Sequence, residues 1–350
     1  MRRFSCACGS VLFFENRSCG ACGRTALFLP EPLLLVALEP VAGSDGLWTP
    51  AGSDAGQRHR SCANERHGCN WAVPESDPSA LCSACRLTVT IPDLRDPRNA
   101  PRWELFEAAK RRVLYTLGSL GYRFVDKQRD PELGLAFEFL ADPQHAPGTL
   151  GAESIPTGHH DGLITVNVAE ADPVTLVRAR EALGESYRTP LGHLRHEIGH
   201  YFWYLRIRGA ERLAAFRALF GDERTDYRAA IDRHYAQGPP ADWIRDHVSP
   251  YAAAHPWEDW AESCAHYLHI VDTVETGIDF GFVESVPRDL GETLGVWMEL
   301  SVAINCLNQS LGLEDAYPFV LTDGVRKKLY LVDEVIRGPA QLFFDSEAVS

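Results

Sequence analysis

The apolar positions change their rhythm along the chain. Near the start they come in short runs, Ala26–Leu29 and Leu33–Leu38, bounded by glycine, proline and polar residues, as in strands. Residues 43–61 read as a polar loop. Pro92, Pro97 and Pro101 predict an extended linker across Ile91–Pro101. Helical spacing then sets in, with apolar residues at 103, 106, 109, 113, 117 and 120 and a stop at Gly121. Leu133–Leu140 and Gly162–Val168 read as strands. From 172 onward the pattern is helical, over roughly 172–183, 189–208, 210–237, 256–275, 286–311 and 323–337. The expected architecture is α+β: a mostly helical body, residues 96–350, behind a β-rich module, residues 1–95.

Charge and cysteine sharpen that division. Residues 1–95 carry nine Lys/Arg against nine Asp/Glu, so the net charge of -14 belongs to the body. An acidic chain with a neutral module argues against nucleic-acid binding. The longest apolar stretch, Ala26–Leu38, holds Glu31 and two prolines, too broken to span a bilayer. No continuous apolar run follows Met1-Arg-Arg, so the reading is a cytoplasmic protein. In that reducing compartment thiolates favour metals over disulfides.

Eight of the ten cysteines fall between Cys6 and Cys85. Cys6-Ala-Cys8 with Cys19-Gly-Ala-Cys22 makes one set of four thiolates; Cys62, Cys69 and Cys82-Ser-Ala-Cys85 make a second. Two short hairpins, each aiming two sulfurs at one ion, complete a tetrahedral structural zinc site. A core this thin would take much of its folding energy from the metal. Interleaved pairing, an iron–sulfur alternative, and His59 or His67 as substitute ligands in the wider second set stay open. Cys264 and Cys306 read as small core residues.

The strongest chemical signal is His196-Glu197-Ile198-Gly199-His200 inside an apolar helical run. Histidines at i and i+4 share a helical face and can reach one zinc, and Glu197 beside them can act as the general base. A catalytic zinc needs a third protein ligand and an open position. Glu258 and Glu262 lie one turn apart in a helix that Pro256 can start. One can bind zinc while the other hydrogen-bonds a ligand histidine. His266 is a less favoured substitute ligand; His193 shares the motif's face without an assigned role. His159, His160 and Asp161 read as a polar loop before a strand, with a metal or substrate site near the cleft as the less favoured alternative, Trp257 and Trp260 read as core, and Asp222–Asp232 as a solvated helical face.

HExxH followed by a helix with ExxxE resembles the gluzincin arrangement. The spacing of Tyr251 before Glu258 resembles its lethal-factor-like branch. That resemblance implies Glu258 as zinc ligand, Glu262 as the residue behind a ligand histidine, and Tyr251 as oxyanion donor. The chain as a whole resembles a bacterial family of zinc-binding metallopeptidases with an N-terminal zinc ribbon. The matching pieces include Phe13–Arg17, Cys69-Asn-Trp71, Thr90–Leu94, Gly158–Gly162, Arg195–Tyr201 and His255–Glu262. The implied function is hydrolysis of a peptide or protein substrate with one catalytic and two structural zinc ions. Gly162–Val168 would be the sheet edge that aligns an extended peptide. The alternatives are a zinc ribbon that binds a protein partner on an inactive zincin scaffold, and hydrolysis of a non-peptide amide.

Overall fold

The computed structural model describes residues 2–52, 57–142, 157–172 and 189–338. It opens on a hairpin of β1 (Phe4–Ser5) and β2 (Val11–Leu12). A five-stranded antiparallel sheet follows, in the order β3 (Thr25–Leu29), β4 (Leu34–Pro40), β5 (Trp48–Pro50), β6 (His59–Ser61) and β7 (Ala72–Pro74). The stretch read as a polar loop therefore carries β5 and β6. At three residues each they are too short for alternation to register.

A second sheet has the order β10-β11-β9-β8. Here β8 is Thr88–Thr90, β9 Ala136–Leu140, β10 Gly158–His160 and β11 Leu163–Asn167. The β8, β9 and β11 strands run parallel, and β10 is antiparallel to β11. Asp161 and Gly162 join β10 to β11 with φ of 46° and 82°, the two-residue turn that Asp-Gly favours. The strand expected over 162–168 is thus present but interior to the sheet. Among the described residues the edges of this sheet are β10 and β8, so the expectation of an edge at Gly162–Val168 is corrected.

Seven longer helices complete the described chain: α1 (Asn99–Ser119), α2 (Pro190–Phe202), α3 (Ala210–Phe220), α4 (Tyr227–Gln237), α5 (Pro256–Asp279), α6 (Leu290–Ser310) and α7 (Asp323–Arg337). The α1 helix begins inside the expected linker. Pro101 sits in its first turn, where a missing N–H breaks no helical bond. The helix read over 210–237 is two helices, with Gly221 at φ 99° after the first. The one read over 172–183 lies outside the described residues after Asp172. No described helix is long and apolar enough to cross a membrane.

The cysteine-rich region and the helical body share one apolar core. The Tyr115 ring of α1 lies 5.2 Å from Phe14 and 6.0 Å from Phe28, and the His67 ring lies 4.9 Å from Trp103. Arg112 pairs with Glu15 across the same seam at 2.6 Å. Cys264 is buried as expected, whereas Cys306 is exposed on α6.

Candidate functional site

The eight N-terminal cysteines gather in two sequential sets: Cys6, Cys8, Cys19 and Cys22, and then Cys62, Cys69, Cys82 and Cys85. Sulfurs about 2.3 Å from a common zinc stand about 3.8 Å apart in a tetrahedron. The separations are close to that: 3.5 Å for Cys6–Cys22, 3.7 Å for Cys8–Cys19, 3.7 Å for Cys69–Cys82 and 3.6 Å for Cys69–Cys85. Local backbone builds each hairpin. Gly9 and Gly23, at φ 87° and 73°, donate back to the carbonyls of Cys6 and Cys19. In the second set the backbone N–H groups of Cys82 and Cys85 donate to Cys62 and Cys82 sulfurs at 3.3 and 3.4 Å. Cys8 and Cys22 are exposed, whereas all four sulfur residues of the second set are buried. His59 and His67 stay outside both sets; His67 pairs with Glu104 at 3.0 Å.

A third donor set forms where α2 crosses α5. His196, His200 and Glu258 each aim a ligand atom into a space where all three lie within 4.8 Å of one another. The Nε2 atoms of the two histidines are 3.1 Å apart, and Glu258 oxygens are 3.1 Å from His196 and 3.7 Å from His200. Nitrogen and oxygen donors about 2.1 Å from a zinc would stand about 3.4 Å apart, so the set fits that ion. Glu262 occupies the other side of His196, with Oε1 2.7 Å from Nδ1. The Nδ1 proton therefore points at Glu262, leaving Nε2 as a lone-pair donor on the Glu258 side. Ser249 Oγ donates to the second oxygen of Glu262 at 2.7 Å.

The sequence explains why the two helices meet there. Thr189 caps α2 by accepting from Gly192 N at 2.9 Å, and Pro190 fills the first turn. His255 caps α5: its Nδ1 accepts from Trp257 N and its Nε2 donates to Thr225 O. Arg195 and Asp272 form a buried pair at 2.6 Å between the helices. At the crossing Gly199 lets the backbones touch. A Cβ there would lie 2.8 Å from Ala261 Cα and 2.9 Å from Cys264 Cβ. Trp260 Nε1 donates to the Gly199 carbonyl at 2.8 Å. Gly199→Ala is accordingly expected to destabilise the fold by about 1–3 kcal/mol through overpacking and to loosen metal at the third set. Denaturant unfolding and zinc dialysis would measure both; an unchanged midpoint would contradict the close approach.

The donors open onto a cleft of about 570 Å³, lined among others by Thr157, His159, Glu197, Tyr204, Tyr227 and Tyr251. Glu197 stands beside the donors without joining them. Burial favours its neutral form, but the hydrogen bond from His193 and the neighbouring His200 and His196 hold its pKa below the ordinary value. Burial also opposes charge on His193, yet Glu170 and Glu197 on its two sides raise its pKa to about 9. Tyr251 stands in a short 3-10 turn, with its ring 6.1 Å from that of His196.

Several neighbours escaped the sequence reading. Tyr227, from the run read as a solvated face, donates its hydroxyl to Glu258 Oε1 at 2.9 Å. Ser249 and Glu170 carried no local signal. His193 did, through its position on the motif's face. His159 lies in the cleft, where burial drives its pKa down to about 4 and its Nε2 accepts from Gly162 N at 2.9 Å. Trp257 also lines the cleft, whereas Trp260 is core. His266 is buried outside the donor set, with Nδ1 2.8 Å from the Tyr317 hydroxyl.

A helical body with a His-Glu-x-x-His helix, joined to two knots of four cysteines, is the outline of a zinc-ribbon metallopeptidase. The chain belongs to the family described as "Putative zinc-binding metallo-peptidase", whose model matches residues 99–335. A zinc-ribbon domain model matches residues 3–96. Uncharacterized proteins of Mycobacterium bovis and Mycobacterium tuberculosis are each 37% identical to it over 348 residues, covering 96% of this chain and 95% of theirs. No solved structure matches it.

Proposed function

We propose that the protein is a zinc-dependent peptidase in which His196, His200 and Glu258 hold the catalytic metal and Glu197 is the general base. The observation that carries this reading is an incomplete donor set. Among the described residues, the two cysteine sets have four donors each and suit structural ions, whereas the third has three and faces a cleft. A scaffold would need neither the opening nor a carboxylate beside the donors.

When bound there, zinc supplies Lewis acidity, acidifying water and polarising a peptide carbonyl. Glu197 takes the proton of the attacking water and returns it to the departing amine. Tyr251 donates to the oxygen on which negative charge develops. Tyr227 and Glu262 hold the donors in place, the first through Glu258 and the second through His196. The strand β10, an edge of its sheet among the described residues, borders the cleft and offers backbone groups to an extended peptide. Residues 1–95 act as the zinc-ribbon module and 96–350 as the peptidase domain. A cytoplasmic setting keeps the cysteines reduced for two structural ions, and the exposed first ribbon hairpin is available to a protein partner.

The test is zinc per folded chain by elemental mass spectrometry, with a peptide-library digest of the loaded protein. Wild type is expected to hold three zincs, and His196→Ala/His200→Ala two, with cleavage lost. Two zincs in both proteins after metal loading would overturn the reading.

A further inference from the structure

Two half-buried charged groups beside Glu197, His193 and Glu170, have no part in the chemistry above. His193 stands one turn ahead of Glu197 on α2, and its ring lies between two carboxylates. Nδ1 is 2.7 Å from Glu170 Oε2, and Nε2 is 3.3 Å from Glu197 Oε1. Both nitrogens face acceptors, so the imidazole donates in both directions. Glu170 is held in its turn. It belongs to the 3-10 turn Val168–Ala171 that follows β11, and Thr157 Oγ1 donates to its Oε1 at 2.5 Å. Thr157 Oγ1 also accepts from Asn167 N at 3.0 Å, just ahead of the edge strand β10. The sheet thus fixes one end of the chain and the catalytic helix the other.

Stability alone is a poor reason for this arrangement. A buried ion pair seldom stabilises more than apolar residues of the same volume. Its geometry does have a consequence for Glu197. With Oε1 facing His193, the carboxylate loses its freedom to rotate. Its Oε2 is buried and has no hydrogen-bond partner among the described residues. An acceptor fixed at one oxygen and unsatisfied at the other is prepared to take a proton at the second.

We propose that His193 and Glu170 are positioning residues for the general base, anchoring Glu197 at Oε1 so that Oε2 is the oxygen that receives the proton. This rests on the peptidase reading. It adds a link from the base to the edge strand, because the same chain of hydrogen bonds ends at Thr157.

Acetohydroxamate provides a readout without turnover. A hydroxamate chelates zinc and shares its acidic proton with a carboxylate held beside the metal, so its affinity reports where that carboxylate sits. Calorimetric titration would use the full zinc-loaded chain. His193→Phe keeps ring volume and removes both hydrogen bonds; Glu170→Gln removes only the far charge. Both variants are expected to retain wild-type zinc content. His193→Phe should bind about tenfold more weakly or worse, and Glu170→Gln less affected but in the same direction. In a Glu197→Gln background His193→Phe should add no further loss, because its effect runs through Glu197. With a cleaved library peptide, the two single variants should lower kcat and leave KM in place. If His193→Phe fails to fold, His193→Gln, which keeps one donor, is expected to show an intermediate loss. Wild-type affinity in the His193 variants, or an equal loss with and without Glu197, overturns the inference while leaving the peptidase reading intact. Failure of zinc-loaded wild type to bind acetohydroxamate overturns that reading and this inference with it.

Discussion

Glu197→Gln is expected to keep the full complement of zinc and to lose peptide hydrolysis by about 10²–10⁴-fold, the usual contribution of a positioned general base. The substitution preserves shape and still offers an oxygen to His193, so the helix and the donor set should be undisturbed. It removes the basic site itself. Because proton transfer belongs to the transition state, the loss should fall on kcat and leave KM nearly unchanged. Elemental mass spectrometry and steady-state kinetics on one library peptide would read both halves. Undiminished turnover would remove Glu197 from the role of base. Loss of the catalytic zinc would make it a ligand instead.

The second large effect separates two glutamates that are one helical turn apart. Glu258→Ala should strip the catalytic metal, taking the zinc count from three to two. Its carboxylate reaches the Nε2 side of both histidines, where nothing else in the donor set can replace it. Glu262→Ala should retain that zinc with affinity weakened about 10–100-fold, as when a partner behind a ligand is lost. Its oxygens address His196 Nδ1 and Ser249, both on the far side of the ring. Competition with a chelator of known affinity would rank the two variants. The opposite ranking would exchange their roles.

How much of this was legible in the chain depends on the distance over which each signal acts. The His-Glu-x-x-His helix is visible because i and i+4 histidines follow helical periodicity, and the acidic pair on α5 is visible for the same reason. The two cysteine sets are visible because Cys6-Ala-Cys8 and Cys82-Ser-Ala-Cys85 are complete local hairpins. Asp161-Gly162 does form a turn before a strand, but Gly158–His160, at three residues, is too short for its pairing to show in a run read as a polar loop. Gly199 was a quieter local clue, since glycine within a helix costs about 1 kcal/mol relative to alanine and so needs a packing reason.

The residues that were missed act through space. Glu170 precedes His193 by 23 positions and reaches it only because the turn after β11, packed on α1, brings its carboxylate beside α2. Tyr227 lies among Asp222, Glu223, Arg224 and Asp226, so its composition read as solvent-facing. Its ring is exposed on one side as that reading expects, yet it also leans on His255 and Trp257, at 5.1 and 6.1 Å, and brings its hydroxyl to Glu258. No periodicity within one element reports such meetings.

Tyr115 gives the shared core a further meaning. Its ring is fully buried between Phe14 and Phe28, and its hydroxyl donates to Glu275 on α5 at 2.8 Å while accepting from Arg2 at 3.1 Å. One side chain therefore ties the cysteine-rich region to α1 and α5. Zinc scarcity would then act on this protein twice. It would empty the cleft of its cofactor, and by loosening the knots it would expose the apolar flank of α1 to chaperones and proteases. The amount of folded protein, and not only its occupancy, would rise and fall with the metal supply of the cell.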